Sequence, residues 1–253
     1  MKKLAFLLAI ISVCSAIYLS AQTEQSLTLT SLEWPPYTSQ TLKDLGASAI
    51  VATAAFKAMG YTLNIVFYPW DRAVKLAKTD PSIAGYFPEY YSSDNASAFI
   101  YSDPMGAGPL GFVERKDSPV KWSTLDDLKS VTIGVVEGYF NTEKFDAMVA
   151  AKELKVDAAP DDATNILKVA KKRFPIAVID QNVLHYLLKN DKTSQAYQDT
   201  LQFNSKILER KMLFVCFKKG PDGEKYSKIL DAGLKKINVD KLMEDYFSSV
   251  LGH

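Results

Sequence analysis

The chain has 253 residues, with 30 Lys and Arg against 29 Asp and Glu, a net charge of +1. So even a balance leaves no electrostatic footprint for nucleic acid. Two cysteines and two histidines exclude a disulfide framework and a His/Cys metal cluster.

Lys2 and Lys3 precede an apolar run from Leu4 to Leu19, followed by Ser20-Ala21-Gln22. The pattern predicts a secretory signal peptide cut after Ala21, which sends the mature protein out of the cytoplasm. A retained anchor is the alternative, but the run is shorter than the ~20 residues that span hydrocarbon, and Ser12 and Ser15 interrupt it. Cys14 reads as part of this leader, because Val13 before it is not the small residue that precedes a lipidated cysteine. Cleavage leaves 232 residues (253 − 21) with 28 basic and 29 acidic side chains, enough for one large domain or two lobes. Cys216 reads as a buried strand residue, and His185 as a packed core histidine on an apolar helix face.

Short apolar strands then alternate with amphipathic helices, the pattern of an α/β protein. Strands are predicted at Leu27 to Leu32, Leu63 to Tyr68, Ile83 to Phe87 and Phe112 to Arg115. Helices are predicted between them at Ala47 to Met59, ended by Gly60, and at Asp71 to Lys78. A second series starts at Ser123-Thr-Leu-Asp126, a capping-box pattern. It continues with strands Val131 to Val136, Ile176 to Ile179 and Met212 to Lys218. Its helices are Thr142 to Ala151, Asp162 to Lys172, Gln181 to Lys189, Glu224 to Ile237 and Val239 to Val250. Two series suggest two lobes, with crossings near residues 110 and 208.

The order of short motifs resembles the family 3 periplasmic solute-binding proteins, the amino-acid-type receptors of ABC importers. The motifs are Glu33-Trp-Pro-Pro-Tyr37, Phe99-Ile-Tyr-Ser-Asp-Pro104, Ser123-Thr-Leu-Asp-Asp-Leu128, Val131-Thr-Ile-Gly-Val135 with Gly138, Ala177-Val-Ile-Asp180, Pro221-Asp-Gly223 and Lys241-Leu-Met-Glu-Asp-Tyr-Phe247. The resemblance implies an α/β, two-lobed periplasmic binding protein fold (type II): two mainly parallel sheets flanked by helices and joined by two hinge strands. Lobe one would be 22–110 plus 208–253, and lobe two 111–207. It also implies a monomer with no catalysis, no cofactor and no metal, whose partners are a small-molecule ligand and the membrane permease of an ABC importer.

Three departures bear on the ligand. The arginine with which the family grips a ligand carboxylate is replaced by Ala96. The small polar residue after the lobe-two glycine is replaced by Tyr139-Phe140. The usual approach to the third strand is replaced by Thr79-Asp-Pro-Ser-Ile83.

The candidate site residues each have a plainer role. Asp180 ends a strand before a helix, so it is either an N-cap or, as the resemblance implies, the carboxylate for a ligand ammonium. Trp34 and Tyr37 flank Pro35-Pro36 and either pack the turn or face a ligand beyond the strand end. Trp70 is placed to stack on ligand. Arg72 is the nearest substitute for the missing arginine, or a solvated helix charge. Tyr86 could line the cleft, Glu89 could bind a cation, and Tyr90 and Tyr91 read as edge cover. Gly138, Tyr139 and Phe140 lie between a strand and a helix, where backbone N–H groups suit an anion. Gly106-Ala-Gly-Pro-Leu-Gly111 matches the letters of a dinucleotide loop, but a strand follows it rather than a helix, and it reads as a hinge.

The functional expectation is a binding protein for a small polar solute, an amino acid or related amine. The alternatives are an exported dehydratase- or lyase-like enzyme on the same fold, needing a general acid or base among Glu33, Glu89 and Asp180, and a sensory or accessory module.

Overall fold

The computed structural model describes residues 25–252. The leader read in Lys2 to Ala21, Cys14 within it and the terminal His253 lie outside the described residues.

The first series is β1 (Gln25–Ser31), α1 (Ala47–Lys57), β2 (Tyr61–Phe67), α2 (Trp70–Thr79) and β3 (Gly85–Tyr90). Then α3 (Ser93–Ala98) and β4 (Phe99–Tyr101) lead into the long strand β5 (Ala107–Arg115). The second series is β6 (Thr132–Val136), α4 (Glu143–Ala150), β7 (Lys155–Ala159), α5 (Asp162–Ala170), β8 (Ile176–Asp180), α6 (Gln181–Asn190), α7 (Lys192–Gln195) and β9 (Leu201–Phe203). The chain returns through β10 (Glu209–Lys218) and closes with α8 (Pro221–Leu234) and α9 (Val239–Leu251).

Local chemistry sets these boundaries. Thr142, Asp161 and Asp180 each accept a backbone N–H at the start of a helix, which satisfies donors the helix cannot. The capping box forms one residue later than the sequence pattern suggested, with Thr124 and Asp127 rather than Ser123 and Asp126. The alanines of α1 let α8 approach closely: a Cβ on Gly233 would lie 2.1 Å from the Ala55 carbonyl oxygen.

The strands form a sheet in the order β2-β1-β3-β10-β5-β8-β6-β7, with β4 beside β10 and β9 beside β5. In the first lobe β2, β1 and β3 are parallel; in the second β7, β6 and β8 are parallel. These are the two expected parallel groups, and two long strands extend them in the opposite direction. β10 runs antiparallel to β3 and β4, and β5 runs antiparallel to β8 and β9. These two strands carry the chain between the parallel groups, so each crosses its neighbours in the return direction. They also pair with each other, Glu209 to Met212 against Leu110 to Ala107, and so join the two groups edge to edge.

Five short elements escaped the periodicity. β4, β9, α3 and α7 are too brief to establish a period, and β7 is an edge strand exposed at every position except Ala159. His185 is half-buried on α6 rather than packed in the core. Cys216 is a buried free thiol in a small cluster with Ala77, Ile83, Tyr86 and Phe99. Among the described residues no helix is long and apolar enough to cross a membrane.

Candidate functional site

Five chain segments meet where the two lobes face each other. Each follows the carboxyl end of a strand, the side on which open α/β sheets bind ligands. Trp34 and Tyr37 follow β1, Glu89 and Tyr90 end β3, Gly138 to Asn141 follow β6, Asp162 follows β7, and Asp180 ends β8.

The turn after β1 is held by Trp34 N–H donating to Thr38 O at 2.7 Å and Tyr37 N–H donating to Trp34 O at 2.9 Å. It stacks the two rings 4.4 Å apart at 18°. Tyr37 is fully buried, and its hydroxyl lies 3.1 Å from both carboxylate oxygens of Asp180. Asn182 Nδ2 donates to the same hydroxyl oxygen at 2.9 Å. Asp180 Oδ1 also accepts the backbone N–H groups of Asn182 at 2.8 Å and Val183 at 3.2 Å. Asp180 is therefore both a helix cap and one half of a clasp between lobes. Gly108 of β5 makes the clasp possible: a Cβ there would lie 2.1 Å from Asp180 Oδ2 and 2.2 Å from the Tyr37 hydroxyl.

Two cavities remain beside the clasp. One of about 30 Å³ is lined by Leu32, Trp70, Pro88, Glu89 and Leu213 together with Trp34, Tyr90, Tyr139 and Phe140. The other, about 20 Å³, is lined by those same four aromatic residues and by Asn141, Asp162 and Asp180 among others. Each has room for roughly one or two waters, far less than the ~300 Å³ of an ordinary small-molecule site. The cleft is closed, and side chains fill it.

Three carboxyls are buried there. Burial pushes Glu89 up to about 7, against the pull of the Tyr86 hydroxyl, the Tyr90 N–H and the Lys211 charge. Its oxygens accept Tyr86 Oη at 2.9 Å, Asn95 Nδ2 at 2.9 Å and Tyr90 N at 2.8 Å. Burial also pushes Asp162 up to about 7, with the charges of Asp180 and Asp161 adding to the rise and a hydrogen bond from Trp34 opposing it. Asp180 is pushed up to about 7 by burial, opposed by its two backbone donors and Tyr37.

The structure brings Trp34, Trp70, Tyr139, Phe140 and Asp180 together on the cavities. Tyr37 and Tyr86 stand one layer behind, Tyr37 under Trp34 and Tyr86 with its ring 5.5 Å from Trp70. Gly138, with φ +76°, presses on α2, where a Cβ would meet Asp71 Oδ1 at 2.8 Å. Arg72 is not in this group: it is exposed on α2, its guanidinium 4.8 Å over the Tyr68 ring. Glu33 is exposed and accepts from Gln40.

Sequence reading missed Tyr90, Asp162 and Lys211. Tyr90 is not edge cover; it lines both cavities, while Tyr91 is exposed. Asp162 could have been found in the doublet Asp161-Asp162, since one aspartate suffices to cap α5. Lys211 is buried on β10, its Nζ 5.0 Å over the Phe140 ring and 5.2 Å over that of Tyr90.

No protein-family model matches the chain, and no curated protein matches it in sequence. Solved structures do match. A histidine kinase sensor domain with similarity to periplasmic binding proteins superposes with a TM-score of 0.74 at 16% identity, covering 90% of this chain and 97% of that one. The amino acid ABC transporter substrate-binding protein AbpA of Streptococcus pneumoniae, bound to L-arginine, gives 0.71 at 16% identity, covering 89% and 96%. An ancestral amino-acid-binding protein, AncCDT-1, a precursor of cyclohexadienyl dehydratase, gives 0.69 at 19% identity, covering 88% and 95%. The chain has the two-lobed, mixed α/β fold of the type II periplasmic binding proteins, the fold of the family 3 amino-acid-binding proteins.

Proposed function

We propose that the protein is a periplasmic solute-binding protein that captures a small polar solute, an amino acid or related amine, and presents it to the membrane permease of an ABC importer. It acts as a monomer and without catalysis. The observation that carries this reading is the convergence of Trp34, Glu89, Tyr90, Tyr139, Asp162 and Asp180 on one cleft from strand ends in both lobes. Aromatic walls with a few polar anchors are what small-solute sites use. Residues 22–110 and 208–253 form one lobe of this machine and 111–207 the other, and the paired segments Ala107 to Leu110 and Glu209 to Met212 are its hinge.

The geometry supports a simple working cycle. A solute of amino-acid size enters only when the lobes part, which breaks the bond from Tyr37 to Asp180. Closure over the solute then returns Trp34, Tyr139 and Phe140 to its surface and removes water from the buried carboxyls. Calorimetry with a panel of amino acids and amines, paired with small-angle scattering, tests this. The expected result is saturable binding with a fall in radius of gyration; no binding together with unchanged scattering would overturn it.

A second reading, an exported enzyme, is favoured by one observation: Glu89 and Asp162 are pushed up to about 7, where a general acid or base works best. Loss of a bound solute to a new species, followed by NMR, would select it.

A further inference from the structure

The cleft has two ends of the same charge. The larger cavity is bounded by Glu89, the smaller by Asp162 and Asp180, and the rings of Trp34, Tyr90, Tyr139 and Phe140 border both. An aromatic partition therefore separates an acidic end in lobe one from an acidic end in lobe two. No lysine or arginine lines either cavity. Among the described residues none of the three carboxyls takes part in an ion pair.

A second observation points to the same ligand chemistry. The Tyr90 hydroxyl is buried with no hydrogen-bond partner. Tyr90 lines the smaller cavity together with Asp162 and Asp180, and the charges of both act on its hydroxyl. An unsatisfied buried hydroxyl is costly, and a ligand donor would relieve it. The partition is also suited to a cation. Tyr90 and Phe140 hold the Lys211 ammonium at 5.2 and 5.0 Å from their ring centres, the distance of a cation–π contact, which leaves Trp34 and Tyr139 as the rings for the ligand.

Building on the solute-binding reading above, we propose that the ligand is an organic dication, a short diamine without a carboxylate. One ammonium is held by Asp162, Asp180 and the Tyr90 hydroxyl, the other by Glu89, and the methylenes lie between the rings of Trp34 and Tyr139. An ammonium offers three donors and no acceptor, which matches two carboxylates and a hydroxyl. A zwitterionic amino acid would bring a carboxylate into a cleft with three acids and no lining cation. Among the described residues no group of His, Cys, Asp and Glu could hold a metal ion.

Calorimetry with putrescine, ornithine and butylamine decides the matter. Ornithine is putrescine with one added carboxylate, and butylamine is putrescine with one ammonium removed. The full mature protein should bind putrescine at least about tenfold more tightly than either, the scale of one charge-assisted bond. Tighter binding of ornithine than of putrescine would overturn the dication while leaving solute capture standing. Binding of none of the three, with no compaction on the wider panel of amines and amino acids, would overturn both. Two shape-preserving variants sharpen the test. Glu89→Gln should weaken putrescine by about tenfold, and Tyr90→Phe should weaken it several-fold while holding or raising Tm. Unchanged putrescine affinity in both, with Tm preserved, would remove both anchors and the proposal with them.

Discussion

Two helices of lobe two start on the cleft with aspartate, and they spend it differently. At α5 the doublet divides the work. Asp161 accepts the Thr164 N–H at 2.6 Å, and Asp162 is left to line the cavity with Trp34 as its hydrogen-bonding neighbour. At α6 a single residue does everything: Asp180 caps Asn182 and Val183 and receives the Tyr37 hydroxyl. Both carboxyls are pushed up to about 7 by burial, yet one is saturated by donors and the other is nearly bare. The difference teaches that an aspartate at a strand end is not by that fact a free ligand anchor. A doublet leaves a carboxyl over, whereas a lone cap gives up its bonds only when something replaces them.

The comparison is broken most completely at Gly108. Its Cβ in Gly108→Ala would meet both halves of the clasp, at 2.1 and 2.2 Å. Asp180 is fixed to α6, but Tyr37 belongs to the other lobe and can leave with it. The substitution therefore costs the closed form about 1–3 kcal/mol without unfolding either lobe. With solute present, scattering should show a larger radius of gyration than for solute-bound wild type, with nearly unchanged helix content by circular dichroism. A closed, wild-type profile would mean that the clasp tolerates the methyl group. Tyr37→Phe comes next. It removes the hydroxyl and leaves Asp180 Oδ2 buried without that donor, a loss of about 1–2 kcal/mol that denaturant titration reads directly.

Asp180→Asn should cost less, about 1 kcal/mol, because asparagine caps a helix about as well as aspartate. It also tests the coupling between the two aspartates. Asp180 is the first charge raising Asp162 after burial itself. Removing that charge should lower the Asp162 pKa, and an NMR titration of the Asp162 side chain that stays at its wild-type midpoint would show the two to be uncoupled.

Much of this arrangement was legible before the structure, and the illegible part has identifiable causes. Apolar runs marked β1, β6 and β8, since each buries most of its residues, and the cap residue Asp180 marked α6. Strand β7 carries no such mark, because four of its five residues are exposed. Without β7, Asp162 had no strand end to follow and looked like helix surface. Tyr90 failed for a related reason: β3 was expected to stop at Phe87, and the strand runs on to Tyr90, which moves that ring from the edge into the cleft. The aromatic cluster Trp34, Trp70, Tyr139 and Phe140 was visible as an excess of rings at strand ends, although no pattern in one sequence could show that the rings would fill the cleft. Arg72 was chosen by proximity in the chain to the missing arginine, and α2 turns it to solvent over Tyr68.

The smallest expected effect separates the two aspartates by pH. Burial raises Asp162 from 3.8 and Asp180 from 3.8 to about 7, and Glu89 from 4.5 to about 7. The closed, folded form then binds more protons than the unfolded chain between those limits. For groups raised in this way the stabilising contribution is complete below the unfolded pKa and is lost as pH rises through about 7. Tm should accordingly fall from about pH 4 to about pH 7 and level off above that. Asp162→Asn keeps an oxygen for the Trp34 hydrogen bond and deletes the charge that is costly when ionised. At about pH 3.5, where Asp162 is protonated in the folded and the unfolded state alike, the variant should match wild type within about 0.5 kcal/mol. At pH 8 it should be the more stable by up to about 1 kcal/mol, so its Tm falls less steeply with pH. A variant less stable than wild type at pH 8 would show that the Asp162 charge is compensated in the closed cleft, and the contrast with Asp180 would then lie in geometry alone.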